Sequence, residues 1–140
     1  MTEHAYIKIA DVMSPSVRTI DAMATVAEAI GLMREKGVSS LVVERRDESD
    51  EFGLLVVADI AREVIAKNRA PERVNVYEVM SKPVLTLNAN MNIKYAVRLL
   101  SQFALSRALV VTDSRRPVGL VTVRDMVLRY PGGETDAPSG

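Results

Sequence analysis

Val79-Met80-Ser81-Lys82-Pro83-Val84-Leu85-Thr86-Leu87 repeats, 67 positions on, the pattern of Val12-Met13-Ser14-Pro15-Ser16-Val17-Arg18-Thr19-Ile20. Working outward from this pair, the same offset aligns Ala29-Ile30 with Ala96-Val97 and Val38-Ser39 with Leu105-Ser106. At an offset of 66, Gly53-Leu54-Leu55 aligns with Gly119-Leu120-Val121, and Asp59 with Asp125. One residue of slippage is what a hairpin of variable length produces. Matched order at matched spacing identifies a tandem duplication. Each copy is about 60 residues, near the lower limit for a self-sufficient core, so the two copies are expected to share one.

Each copy reads strand, helix, strand, strand, helix. In the first, Val17–Ile20 is a short strand. Thr25-x-x-Glu28 is a capping box at the start of the next helix, each side chain answering a free backbone N–H. Val26, Ala29, Ile30 and Met33 recur at helical spacing and form an apolar stripe. Gly37 is placed to end that helix in a left-handed conformation. Ser40–Glu44 and Gly53–Val57 are apolar strands, and Asp59 to about Lys67 is the second helix. Between those strands, Glu44–Glu51 carries seven charges in eight residues and reads as a solvated hairpin.

In the second copy Asn92 takes the cap position and Ile93, Ala96, Val97 and Leu100 form the stripe. Ala108–Val111 and Val118–Val121 are strands, and a helix from Arg124 to Tyr130 stops at Pro131. The domain organisation expected is a first unit at 8–67, a linker at 68–78, a second unit at 79–130, and a disordered tail at 131–140. That tail is rich in glycine and proline and has no bulky apolar side chain.

Composition narrows the function classes. Among 140 residues, 48% are hydrophobic and 26% charged, ordinary for a globular protein. Without cysteine there is no disulfide, thiolate metal site or cysteine nucleophile. With His4 as the single histidine, no metal-ligand spacing or Ser/His/Asp set can be assembled, so neither catalysis nor a metal is expected. Zero net charge and 4% aromatics argue against nucleic-acid binding. No apolar stretch approaches the length of a membrane span, and the expected location is the cytoplasm. The charge is nevertheless divided by copy: residues 1–70 carry nine Lys+Arg against twelve Asp+Glu, and residues 71–140 nine against six. Most of the seven methionines are expected in the core. Ser101–Leu105, with Phe103, reads as surplus apolar surface suited to a dimer interface.

The sharpest chemistry lies in Gly119-Leu120-Val121-Thr122-Val123-Arg124-Asp125, a strand running into a helix. Thr122 offers a hydroxyl, Arg124 a fork suited to phosphate, and Asp125 a carboxylate able to accept two ribose hydroxyls. Free N–H groups at such a junction also favour anions. Together these describe a nucleotide. The competing reading is that Thr122 and Asp125 only cap the helix, since Thr-x-x-Asp has the capping-box spacing.

The repeated Val-Met-Ser segments, Val17-Arg18-Thr19 and Val84-Leu85-Thr86 resemble a tandem pair of cystathionine-β-synthase (CBS) domains. So do Gly37–Val43, Leu105–Val111, Gly53–Ile60 and Gly119–Met126, over about residues 8–130. The resemblance implies an α/β (α+β) fold of two β-α-β-β-α units packed about a pseudo-two-fold axis, with clefts that take adenosine ligands and a flat homodimer as the assembly. It implies a regulatory sensor of AMP, ADP, ATP or S-adenosylmethionine, not an enzyme, that acts on a separate effector protein. Carried onto this sequence, the ligand residues are Thr122 and Asp125, with Val84, Thr86, Ser106 and Arg107 as base and phosphate neighbours. Arg124 is added to the phosphate set on its chemistry.

The first copy departs from the pattern. Val56 stands where the threonine is expected and Ala58 opposite Arg124, so the set Thr19, Ser39 and Asp59 makes a weaker second cleft. Losing a charge-assisted hydrogen bond corresponds to about 1.5–3 kcal/mol, one to two decades in affinity. Asp59 is then expected to serve as a helix cap. The alternative for the whole chain is a ligand-independent dimerisation or interaction module of the same fold.

Overall fold

The computed structural model describes residues 6–130. His4, the tail at 131–140 and the stop at Pro131 lie outside the described residues. The described residues form two compact units, 17–84 and 6–16 together with 85–130.

In the 17–84 unit, β1 (Thr19–Ile20) pairs parallel with β2 (Ser40–Val43), which pairs antiparallel with β3 (Gly53–Val56). Between β1 and β2 runs α2 (Val26–Lys36), started by the expected box: Thr25 Oγ1 accepts the Glu28 N–H at 3.1 Å, and the Thr25 N–H donates to Glu28 Oε1 at 2.8 Å. Gly37 closes it at φ 66°, where a side chain would be strained. The stripe residues Val26, Ala29 and Met33 pack with Leu41, Val43 and Leu55 into the unit's core. The second helix differs from the regular α-helix expected over Asp59–Lys67. A four-residue α3 (Val57–Ile60) passes into a wider π turn at Ala61–Ile65, where the Ala66 N–H reaches the Ala61 carbonyl at 2.8 Å.

Residues 68–78, expected as a linker, are packed structure. Val74, Val76 and Val79 are buried in the same core: Val74 follows a short 3-10 turn at Pro71–Arg73, Val76 opens a second at Val76–Glu78, and Val79 ends it. The Val26 N–H donates to the Val74 carbonyl and the Val76 N–H to the Ala24 carbonyl, both at 2.8 Å. Pro71 and its charged neighbours suggested a tether; the valines after them supply the burial that overrides it.

The other unit repeats the plan with β4 (Thr86–Asn88), α4 (Ile93–Gln102), β5 (Arg107–Val111), β6 (Pro117–Thr122) and α5 (Val123–Leu128). Asn92 Oδ1 caps α4 by accepting the Lys94 N–H at 2.9 Å. Ile93, Ala96 and Leu100 meet Leu87, Ala108, Val110, Val121 and Met126 in the core. The role taken by 74–79 in the first unit falls here to the N-terminal segment. A short α1 (Ile9–Val12) buries Ile9 and Val12 in this core, and the Ile9 N–H donates to the Met91 carbonyl at 2.9 Å.

Each Met-Ser pair therefore lies against a glycine of the opposite repeat. Ser14 exchanges both backbone hydrogen bonds with Leu120, and Ser81 does so with Leu54. A Cβ on Gly119 would stand 2.5 Å from the Ser14 carbonyl oxygen and 2.6 Å from Met13 Sδ; one on Gly53 would stand 2.9 Å from Met80 Sδ. The two motifs that revealed the duplication recur together because they touch.

Candidate functional site

In the unit completed by 85–140, parallel pairing starts β4 and β5 at one edge of the sheet, and the antiparallel β6 ends there. Topology thus brings Thr86, Arg107 and Thr122 to a common edge, with Arg107 directly opposite Thr122. Ser106 is tied in through its carbonyl, which accepts the Val123 N–H at 2.9 Å. Arg124 and Asp125 follow on the first turn of α5. Val84, the remaining residue of the expected set, falls in the 17–84 unit, where its N–H donates to the Phe52 carbonyl at 3.0 Å.

The capping reading of Thr122 and Asp125 is half met. Thr122 is the N-cap, and its Oγ1 accepts the Asp125 N–H at 3.0 Å. The return bond seen between Glu28 and Thr25 has no counterpart, because the Asp125 carboxylate takes no hydrogen bond or ion pair among the described residues. It is partly buried, and Arg107 and Arg124 likewise have no side-chain partner there. An acceptor-only group, two guanidinium forks and a hydroxyl still free to donate remain available to a ligand.

The matching edge of the 17–84 unit carries Thr19, Ser39 and Asp59, and the Ser39 carbonyl accepts the Val57 N–H at 3.0 Å. Asp59 does not cap the helix as expected. Val56 is the N-cap and has no side-chain oxygen, and Asp59 instead turns to Arg62, Oδ1 to Nη2, at 2.7 Å. Arg62 is also held by Glu63 at 3.1 Å, and Glu63 by Lys67 at 2.7 Å. The Asp59 carboxylate first, and Glu63 second, raise the Arg62 guanidinium above its ordinary value. The i, i+3 spacing of Asp59 and Arg62 is the sequence signal that could have revealed this pair.

A second missed residue is Asp50. The hairpin was read as solvated, yet the Asp50 side chain is only 9% exposed and pairs with Lys82 at 2.8 Å and Arg46 at 3.2 Å. The Lys82 ammonium, then the Arg46 backbone N–H, hold its carboxyl well below the usual carboxylate range.

Each unit also bears an apolar groove between its long and its last helix. One, of about 500 Å³, is lined by Ile93, Val97, Met126, Val127 and Tyr130 with Lys94 and Arg98 beside them. The other, of about 360 Å³, is lined chiefly by Ile30, Met33, Val38, Val57, Ile60 and Ile65. The surplus apolar surface expected at Ser101–Leu105 is exposed at Phe103 and Leu105, and Tyr95, Val127, Leu128 and Tyr130 of the same unit are exposed as well.

The CBS domain pattern matches residues 9–66 and 76–132. The chain belongs to the CBS domain family. Among curated relatives, a CBS domain-containing protein of Bacillus subtilis, YhcV, is 29% identical over 127 residues, covering 91% of this chain and 88% of that protein. An uncharacterized protein of Methanopyrus kandleri is 29% identical over 126 residues, covering 89% of this chain; the match spans 63% of that protein's length. Of solved structures, a hexameric CBS-CP12 protein from bloom-forming cyanobacteria superimposes with a TM-score of 0.85 at 33% identity, covering 90% of this chain and 69% of its own. The CBS domain pair of protein MJ0100, solved with 5'-methylthioadenosine and S-adenosylmethionine, gives 0.76 at 24% identity, covering 93% of this chain and all of its own. Among the described residues no helix is long and apolar enough to cross a membrane, and no three acidic or histidine side chains are grouped to hold a metal.

Proposed function

We propose that this CBS pair is a regulatory sensor of an adenine nucleotide, AMP, ADP, ATP or S-adenosylmethionine, acting on a separate effector protein in the cytoplasm. The observation that carries the reading is the unpartnered Asp125 carboxylate beside Thr122, with Arg107 and Arg124 unpaired on the same edge. Asp125 takes the ribose diol, Thr122 donates to the phosphate, and the two arginines neutralise it; Thr86 and Ser106 flank the base and phosphate. The adenosine ligands of the MJ0100 CBS pair support this assignment. Sensing requires that the ligand favour one conformation or partner contact over another, and the signal is limited by that difference in affinity. The chain self-associates as a homodimer through its helix grooves, a reading supported by the hexameric relative.

Thermal melting with AMP, ADP, ATP, GTP, S-adenosylmethionine and NAD tests the proposal. A ligand at 100 times its dissociation constant stabilises by about 2.7 kcal/mol. An adenosine ligand is expected to raise the midpoint, and Asp125→Ala to abolish the rise. Binding that survives Asp125→Ala would refute the assignment. The second reading, a ligand-independent interaction module, rests on the Thr122 cap and the apolar grooves; silence across the panel at millimolar concentration would favour it.

A further inference from the structure

The two repeats treat equivalent aspartates differently, and the difference lies three residues further on. After Asp59 that position holds Arg62; after Asp125 it holds Leu128. Asp59 is bound by Arg62 at 2.7 Å and is 15% exposed, whereas Asp125 has no partner among the described residues. We infer that Arg62 is an internal competitor for the Asp59 carboxylate, which weakens the 17–84 unit toward a diol ligand and leaves Asp125 as the stronger of the two acceptors. The inference rests on the reading of Asp125 as the diol acceptor.

The chemistry is a competition for one acceptor. A ribose diol is neutral and reaches the carboxylate through two hydroxyl donors. The guanidinium brings paired donors and a full charge, and is tethered one helical turn away. Glu63, anchored by Lys67, takes the neighbouring Nε of the same guanidinium and helps hold it in place. Val56 and Ala58 add no donor or charge, so no phosphate contact offsets the displacement. Arg62 itself is 63% exposed, which limits the contest: release of an exposed ion pair favours the ligand by about two- to fivefold, not by many decades.

The test is a titration of the full chain with adenosine, which carries the diol and no phosphate. Amide NMR reads affinity separately at the edges marked by Ser39, Val57 and Asp59 and by Ser106, Val123 and Asp125. Arg62→Leu installs the residue found at the equivalent place after Asp125, and Arg62→Gln is a second variant that keeps a polar side chain. Both are expected to strengthen adenosine binding at the Ser39 edge about two- to fivefold, leave the Ser106 edge unchanged, and lose the gain when Asp59→Ala is added. Unaltered or weaker binding at the Ser39 edge, with the Ser106 edge responding normally, would overturn the role of Arg62 and leave the reading of Asp125 standing. Equal adenosine binding at both edges of the wild type would also overturn it. A response that arises only in the Arg62 variants, with none at the Ser106 edge, would uphold the role and refute Asp125 as the sensing residue. No response at either edge in any form would refute both.

Discussion

Replacing Gly119 with alanine is expected to destabilise the fold far more than the same change at the equivalent Gly53. At Gly119 the new methyl meets backbone, 2.5 Å from the Ser14 carbonyl oxygen. That oxygen cannot retreat freely, because Ser14 accepts the Leu120 N–H at 3.0 Å and donates to the Leu120 carbonyl at 2.8 Å. Opening an ordinary contact means moving Ser14 by most of an ångström and weakening both bonds. Two hydrogen bonds at about 0.5–1.5 kcal/mol each, with overpacking strain of about 1–3 kcal/mol, give a loss of about 2–6 kcal/mol. Alanine's smaller unfolded-state entropy returns only about 0.4–1 kcal/mol. At Gly53 the nearest atom is the Met80 thioether at 2.9 Å, the end of a flexible side chain, with backbone no closer than 3.2 Å. Rotation of the methionine relieves that contact, so the net cost there is about 1 kcal/mol or less. Denaturant unfolding followed by circular dichroism measures both variants. Met13→Ala combined with Gly119→Ala separates side-chain from backbone conflict and is expected to recover little. Gly119→Ala within about 0.5 kcal/mol of wild type, or a full rescue by Met13→Ala, would refute the reasoning.

Acid unfolding is expected to depend on Asp50. Its carboxyl lies below the ordinary range in the folded chain, so its contribution is present above the unfolded value near 3.9 and is lost as the pH falls below it. Melting between pH 5 and pH 2 should therefore fall more steeply in wild type than in Asp50→Asn; parallel curves would remove the latch with Lys82. Thr25→Ala removes the hydroxyl that accepts the Glu28 N–H, while the return bond from the backbone N–H of residue 25 remains, and is expected to cost about 0.5–2 kcal/mol in chemical denaturation. Val127→Asp places a charge in the groove lined by Ile93, Val97 and Met126. Sedimentation should show a smaller species than wild type with the melting curve little changed, and an unaltered mass would exclude this groove from self-association.

Much of the fold was legible because its signals are local. Thr25 with Glu28, Gly37, and Asn92 each specify a helix end through atoms a few residues apart, and the stripes at Val26 and Ile93 need only the helical period. The π turn was not legible, since five residues are too few to separate its period from that of an α-helix. Nor was the packing of Val74, Val76 and Val79, where burial against distant Val26 and Leu41 outweighs the local turn chemistry of Pro71. Of the expected candidate set, Thr86, Ser106, Arg107, Thr122, Arg124 and Asp125 share one unit, whereas Val84 belongs to the other. Which aspartate is free was not legible. A side chain's partner is a choice among several within reach, and only coordinates show that Arg62 turns to Asp59 while Asp125 is left alone.

The covalent repeat and the folded unit are out of phase. The pattern that recurs runs from Val12 and again from Val79, but the compact bodies change over after Ser16 and after Val84. Cutting before Val79 would strand Ile9 and Val12 without their core and strip Val79 from the other. A lineage that began by doubling one segment has thus become unable to shed either copy: each half of the gene now carries a piece of the other half's interior. Residues 17–84, not 9–66, are the piece to excise if one body is to be studied alone.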